Sequence, residues 1–197
     1  MYKIIGSVKS RTFRVLWMLE EMGLSYEYTH APPRSELVKQ YNPSGKVPVL
    51  IDRGAVITDS TAIMTYLADK HHTMTAPAGS IERAHQDALS HQIIDEIDSV
   101  LWAVSRSSLE LKKLNDFPNI KDSFKREYKR NLGRLEKQIK GSFLMGDNLS
   151  LPDFILGHCA GWAYIAKFPA GNETFSQYIK SLRKRPAYKA AARLDMT

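Results

Sequence analysis

The sequence predicts a two-domain α+β protein: a mixed sheet covered by helices, followed by an all-helical domain. Three observations carry this. Strand and helix signals alternate through the first 70 or so residues, and strand signals then vanish. Between the two regions, Thr73-Met74-Thr75-Ala76-Pro77-Ala78-Gly79 reads as a linker. The expected boundaries are residues 1–74, a linker over 75–82, and a helical domain over 83–197.

Each element has its own signal. Lys3-Ile4-Ile5 reads as a short strand. Ser10 to Met22 reads as a helix, with Ser10 a suitable N-cap and Gly23 a suitable stop. Ser25-Tyr26-Glu27-Tyr28-Thr29 is rich in residues that favour a pleated surface, and Ser35 to Tyr41 is a short helix with a weak signal. Val49–Asp52 and Ala55–Thr58 form a hairpin around Arg53-Gly54, and Ser60 to His71 closes the domain as a helix. In the second region Ile94, Ile97, Leu101 and Val104 recur at intervals of three and four within one long helix over 81–111. Further helices are expected at 121–140, 150–167, 172–185 and 186–193.

Composition excludes several classes. At 43% hydrophobic and 25% charged, the 197 residues suit a soluble globular protein with a substantial core. The N-terminal Met1 to Gly6 lacks the apolar middle of a signal peptide, and the longest mainly apolar stretch, 154–166, is too short to span a bilayer. A single cysteine, Cys159, forbids an internal disulfide and a Cys-x-x-Cys pair alike. A cytoplasmic protein without membrane attachment is the expectation. The six histidines show no metal-ligand spacing, so no metal is expected.

The net charge of +7 raises nucleic acid as a partner, but its distribution argues otherwise. Residues 1–74 hold nine Lys/Arg against seven Asp/Glu, or +2, which leaves +5 for the remainder. In 121–140 the basic residues alternate with Phe124, Tyr128, Leu132, Leu135 and Ile139, spaced 4, 4, 3 and 4. That is an amphipathic helix with a solvated basic face, and no nucleic-acid motif accompanies it.

Two stretches carry chemistry. In Asn42-Pro43-Ser44-Gly45-Lys46-Val47-Pro48-Val49-Leu50, Pro48 interrupts what would otherwise pass for a buried strand. A proline there often marks a cis peptide, and it would leave the backbone of Val47 free to pair with a peptide-like ligand. In Asp59-Ser60-Thr61-Ala62-Ile63 an acid and a hydroxyl stand at a helix start, where backbone N–H groups hold carboxylates. A small, charged, peptide-like molecule is the implied ligand.

With Ser10-Arg11-Thr12-Phe13-Arg14-Val15-Leu16-Trp17 before these stretches and Leu149-Ser150-Leu151-Pro152-Asp153 after them, the chain resembles the cytosolic glutathione S-transferases, particularly their bacterial, serine-type, theta-like members. The resemblance covers nearly the whole chain. It implies a thioredoxin-like first domain, an all-α second domain, a homodimer, and an active site in the interdomain cleft where glutathione attacks a small electrophile.

The resemblance also distributes roles. Ser10 would donate to the glutathione sulfur and stabilise its thiolate, with Ser7 as the competing hydroxyl and Arg11 lending positive charge. Val47 and Pro48 would align the cysteinyl backbone, and Lys46 would meet the glycyl carboxylate. Ser60 would hold the γ-glutamyl carboxylate, while Asp59 would stand near its ammonium; whether across the dimer stays open. Many relatives carry glutamate where this chain has Asp59, so the reach is one methylene shorter. Trp102 and Arg106, four apart on one helix face, are candidates for the electrophile pocket; the alternative places Trp102 in the core and Arg106 toward solvent or a partner.

Ser150 and Asp153 read as a capping box that folds the second domain, not as a catalytic pair, and His158 and Cys159 read as core. Two other classes remain open. One is a glutathione-dependent lyase, isomerase, dehalogenase or peroxidase on the same scaffold; the other is a non-enzymatic interaction module.

Overall fold

The strand signals of the first region resolve into four strands whose register decides what lies beside what. In a computed structural model describing residues 1–110, 120–139 and 141–194, β1 (Tyr2–Gly6) pairs in parallel with β2 (Tyr26–His30). It pairs antiparallel with β3 (Val49–Asp52), which pairs antiparallel with β4 (Ala55–Thr58), giving the order β2-β1-β3-β4. The parallel step needs a crossover, supplied by α1 (Thr12–Met22), and Gly23 ends that helix at φ 63°. Arg53 and Gly54 both take positive φ, 51° and 85°, as a two-residue turn matched to strand twist requires.

The short α2 (Glu36–Tyr41) is capped by Ser35, whose hydroxyl accepts from Val38 N–H. The last helix of this region is α3 (Ser60–His71). At its C-terminal end Lys70 pairs with Asp52 on β3, and Tyr66 donates to the same carboxylate oxygen at 2.6 Å. These bonds hold the Asp52 carboxyl below its ordinary 3.8 and the Lys70 ammonium above its ordinary 10.5.

The chain divides into two compact units, Met1–Ala78 with Leu182–Thr197, and Gly79–Ser181. The first unit therefore includes a segment that the sequence reading assigns to the helical domain. The reason is the last helix, α9 (Pro186–Arg193), which packs on α1. The Tyr188 ring meets Phe13 and Trp17 edge-on at centroid distances of 4.9 and 5.0 Å, each contact worth about 0.5–1.5 kcal/mol beyond area burial. Arg185 forks onto Glu21 at 2.5 and 2.7 Å. With the sheet domain and α9 around it, α1 is buried from Thr12 through Leu19.

The second unit is helical, with one correction to the expected pattern. The single helix over 81–111 is instead α4 (Ile81–Ile93), a π-helical turn (Ile94–Asp98) and α5 (Ser99–Glu110). A π turn adds one residue without removing the apolar face, so spacing alone does not reveal it. Asn131, buried on α6 (Ile120–Leu135), donates to the carbonyl of Glu96 at 2.8 Å and satisfies a group inside the irregular turn. A 3₁₀ turn (Glu136–Gln138) follows α6.

Next comes α7 (Leu151–Ile165), whose start is the capping box. Ser150 donates to Asp153 Oδ2 from its N–H and its hydroxyl, at 2.8 and 2.9 Å. Leu144 N–H and the Tyr178 hydroxyl donate to Oδ1 at 2.9 and 2.7 Å, with Asp153 fully buried. Burial pushes this carboxyl up, against the pull of the four donors. Cys159 is also fully buried and donates to Asp98 at 3.8 Å. Tyr178 lies on α8 (Glu173–Lys184).

Candidate active site

One row of paired residues organises the site. Ile5 on β1 faces Val49 on β3, and Val49 faces Thr58 on β4. The chain leaves that row through Gly6-Ser7, through Pro48-Val47 and through Asp59-Ser60. Three stretches far apart in sequence therefore emerge at one end of the sheet. Neighbouring strands stand about 4.8 Å apart, so the three exits span about 10 Å, close to the length of an extended tripeptide at ~3.4 Å per residue.

The first exit corrects the cap assigned to Ser10. Helix α1 begins at Thr12, and Arg11 occupies the N-cap with helical dihedrals and no side-chain cap bond. Ser10 lies in the preceding turn. Its N–H donates to the Ser7 carbonyl at 3.0 Å and its hydroxyl to the same oxygen at 2.6 Å. The hydroxyl also accepts from Thr12 N–H at 3.2 Å and lies 2.9 Å from Thr12 Oγ1. Side-chain bonds two residues along compete with helix start, and here they close a turn instead.

This seating depends on Gly6, because a Cβ there would stand 2.2 Å from Thr12 Oγ1. Ser10 and Ser7 are both half-buried, and among the described residues the Ser7 hydroxyl makes no hydrogen bond. A hydroxyl can re-aim its proton without moving its oxygen. Ser10 can thus give up its bond to Ser7 and donate to a ligand while still accepting from Thr12.

At the second exit the Val47–Pro48 peptide is cis, Pro48 is buried and Val47 half-buried. Val47 lies outside the strand ladders, and among the described residues its backbone makes no hydrogen bond. Asn42 knits the loop before it, donating to Lys46 O at 2.9 Å and accepting from Ser44 N–H and hydroxyl at 3.2 and 2.8 Å. Gly45 takes φ 68° and packs on Arg34, where a Cβ would lie 3.0 Å from the arginine Cα. The Lys46 side chain is exposed.

At the third exit Asp59 caps α3. Its Oδ1 accepts from Thr61 and Ala62 N–H groups at 2.8 and 3.1 Å, which leaves Oδ2 for a ligand. Its backbone holds φ 73° and ψ 126°, sparsely populated for a residue other than glycine, and such strain concentrates at ligand sites. Ser60 is buried at 2% exposure, and Arg14 Nη1 donates to its hydroxyl at 3.5 Å. Sequence reasoning missed Arg14. It is 1% exposed on the buried stretch of α1, so a guanidinium stands behind the start of α3. The available signal was an arginine set between Phe13 and Val15 in an apolar helix.

Residues 10–70, which contain Ser10 and the second and third exits, match the family model described as glutathione S-transferase, N-terminal domain. A probable maleylacetoacetate isomerase of Caenorhabditis elegans is 30% identical over 149 residues, 73% of this chain and 70% of that protein. The chain belongs to the glutathione S-transferase family. A glutathione transferase structure from Methylococcus capsulatus superposes with a TM-score of 0.79 at 25% identity, covering 99% of this chain and 98% of that one. A family member from Pseudomonas fluorescens with two glutathione molecules bound shares the fold, with a TM-score of 0.81 at 21% identity over 96% of this chain and 91% of that one.

The transferase fold brings Ser7, Ser10, Val47, Pro48, Asp59 and Ser60 to one sheet end, with Arg11 and Lys46 beside them in sequence. Trp102 and Arg106 belong to the other unit, both exposed on α5, Trp102 at 39%. Ser150 and Asp153 are consumed by the capping box. Among the described residues no group of three His, Cys, Asp or Glu is arranged to hold a metal ion. No helix among them is long and apolar enough to cross a membrane.

Proposed function

We propose that this transferase is of the serine type and binds glutathione along the row of three exits, with Ser10 as the hydroxyl that activates the sulfur. The observation that carries the reading is the Ile5–Val49–Thr58 row, from which a hydroxyl-bearing turn, a backbone segment outside the ladders and a helix start leave the sheet across about a tripeptide's length. The γ-glutamyl carboxylate meets Ser60 and the start of α3, with Arg14 behind it, and Asp59 Oδ2 takes the ammonium. The cysteinyl backbone pairs with Val47, and Lys46 meets the glycyl carboxylate. The sulfur then falls toward the β1–α1 turn. Lowering a thiol from about 8.5 to about 6.5 takes roughly 2.7 kcal/mol of preferential thiolate stabilisation. A donated hydroxyl bond and the positive end of α1, with Arg11 at its cap, supply terms of that size.

Trp102 and Arg106 are assigned to the electrophile. The working assembly is a cytoplasmic homodimer. The P. fluorescens relative with glutathione bound supports the ligand. Calorimetric titration tests it: binding of glutathione at or below millimolar concentration is expected, and no heat at that concentration overturns the reading. Conjugation rates of Ser10→Ala and Ser7→Ala assign the hydroxyl. Ser10→Ala is expected to lose about 10²-fold or more, and an undiminished rate transfers the role to Ser7.

The 30% identical C. elegans relative, named a probable isomerase, favours a second reading in which the thiolate adds to a conjugated double bond and leaves again after rotation. That reaction returns glutathione unconsumed. Counting free thiol before and after turnover separates it from conjugation.

A further inference from the structure

Helix α6 carries a second charged feature that glutathione chemistry does not use. Tyr128, Asn131, Leu132 and Leu135 are its buried side. On the opposite side stand Arg126, Arg130 and Arg134, four apart, with Lys129 and Lys137 beside them, all exposed. Together with Gly133 they line an open notch of about 500 Å³. Arg134 is engaged, donating to Asn131 at 2.9 Å and pairing with Glu96 at 2.9 Å. Arg126, Lys129, Arg130 and Lys137 have no ion-pair partner among the described residues. Glu127 and Glu136 lie on the flanks, about a quarter-turn from the stripe, and Glu136 accepts from Asn172 N–H. Asp122, one turn before Arg126, is the acid on the stripe's own side.

Gly133 is the independent observation. Glycine inside a helix costs about 1 kcal/mol relative to alanine, and a Cβ there would meet no atom within 4 Å. Among the described residues packing therefore gives no reason for it. It leaves the depression between the cations free of a side chain.

We infer that this notch binds a phosphate chain, of which inorganic tripolyphosphate is the simplest form. Two of the four cations without an ion-pair partner among the described residues, Arg126 and Arg130, are arginines, whose planar forks suit phosphate oxygens. The stripe from Arg126 to Lys137 runs about 16 Å along the helix at 1.5 Å per residue, longer than one phosphate needs. No aromatic side chain lines the notch, so the stacking platform that single-stranded nucleic acids and nucleotide bases use is missing. The expected solvated basic face thus gains a specific occupant.

The test is calorimetric titration of the full chain with tripolyphosphate at low and at physiological salt. Binding that weakens as salt rises is expected, since each neutralised phosphate releases counterions. The triple variant R126Q/R130Q/K137Q should bind about tenfold or more weakly, and a control of equal charge change, K180Q/K184Q/K189Q, should bind as the parent does. Gly133→Leu should fill the notch and weaken binding while the helical signal and glutathione transfer persist. The inference is overturned by no binding at low salt, by equal loss in the control, by a Gly133→Leu variant that binds like the parent, or by tighter binding of a single-stranded oligonucleotide of matched charge. None of these outcomes depends on glutathione binding.

Discussion

Two helix starts in this protein use the same residue types for opposite ends. At α7 the Asp153 carboxylate is fully buried and receives four donors, two from Ser150, one from Leu144 and one from Tyr178. Both of its oxygens are engaged, and the site is closed. At α3 Asp59 is exposed and spends one oxygen on two N–H groups, while its backbone sits at φ 73°. The adjoining Ser60 hydroxyl faces a buried arginine. A helix start completed from within holds a fold together; one left incomplete and strained can hold a ligand.

The comparison breaks most visibly at the closed end. Asp153→Asn turns one oxygen into a donor, and whichever side it occupies it meets a backbone N–H, of Leu144 or of Ser150. Hydroxyls can rotate away; backbone cannot. About 3 kcal/mol or more of stability should be lost in urea unfolding, with the residual folded protein still binding glutathione. At the open end the effect should appear in binding instead. Ser60→Ala should weaken glutathione about tenfold by calorimetry and leave the melting temperature within a few degrees.

Asp59→Gly sharpens the contrast further. Glycine relieves the positive φ while surrendering the cap, so stability should change by less than about 1 kcal/mol in urea unfolding. Ser150→Ala, at an ordinary extended backbone, should cost about 1 kcal/mol. The smallest effect lies at the far end of α3, in the Asp52–Lys70 pair. The folded Asp52 pKa is depressed, so its contribution is complete above the ordinary 3.8 and is lost as pH falls through the folded value. The folded Lys70 pKa is raised, so its share persists below 10.5 and is lost only as pH rises through the folded value. The stability difference between parent and Asp52→Asn should therefore stay flat through neutral pH and shrink below about 3.8, as measured by thermal melts across pH.

Much of this was legible wherever the cause is local. Arg53-Gly54 announces a tight hairpin because glycine readily takes the positive φ such a turn needs, and Ser150-x-x-Asp153 announces a helix start because a short acid three residues on reaches back to the cap. Pro48 marks an interrupted strand because it has no donor. Legibility fails where a group has two partners to choose from. Ser10 looks like the cap of α1, but its hydroxyl turns back to Ser7 and leaves Arg11 at the helix start. The π turn at 94–98 is silent in the apolar period, and the contact of Tyr188 with α1 depends on the return of α9.

By itself, then, the sequence determined the two-part architecture, the strand order along the chain and the two stretches that read as a candidate peptide site. These follow from dihedral preference and from donors and acceptors within a few residues of one another. Only tertiary structure decided that the stretches share one end of the sheet, that α9 returns to cover α1, and that a buried guanidinium stands behind Ser60. Those depend on strand register and packing between residues tens of positions apart, which no local pattern of side chains records.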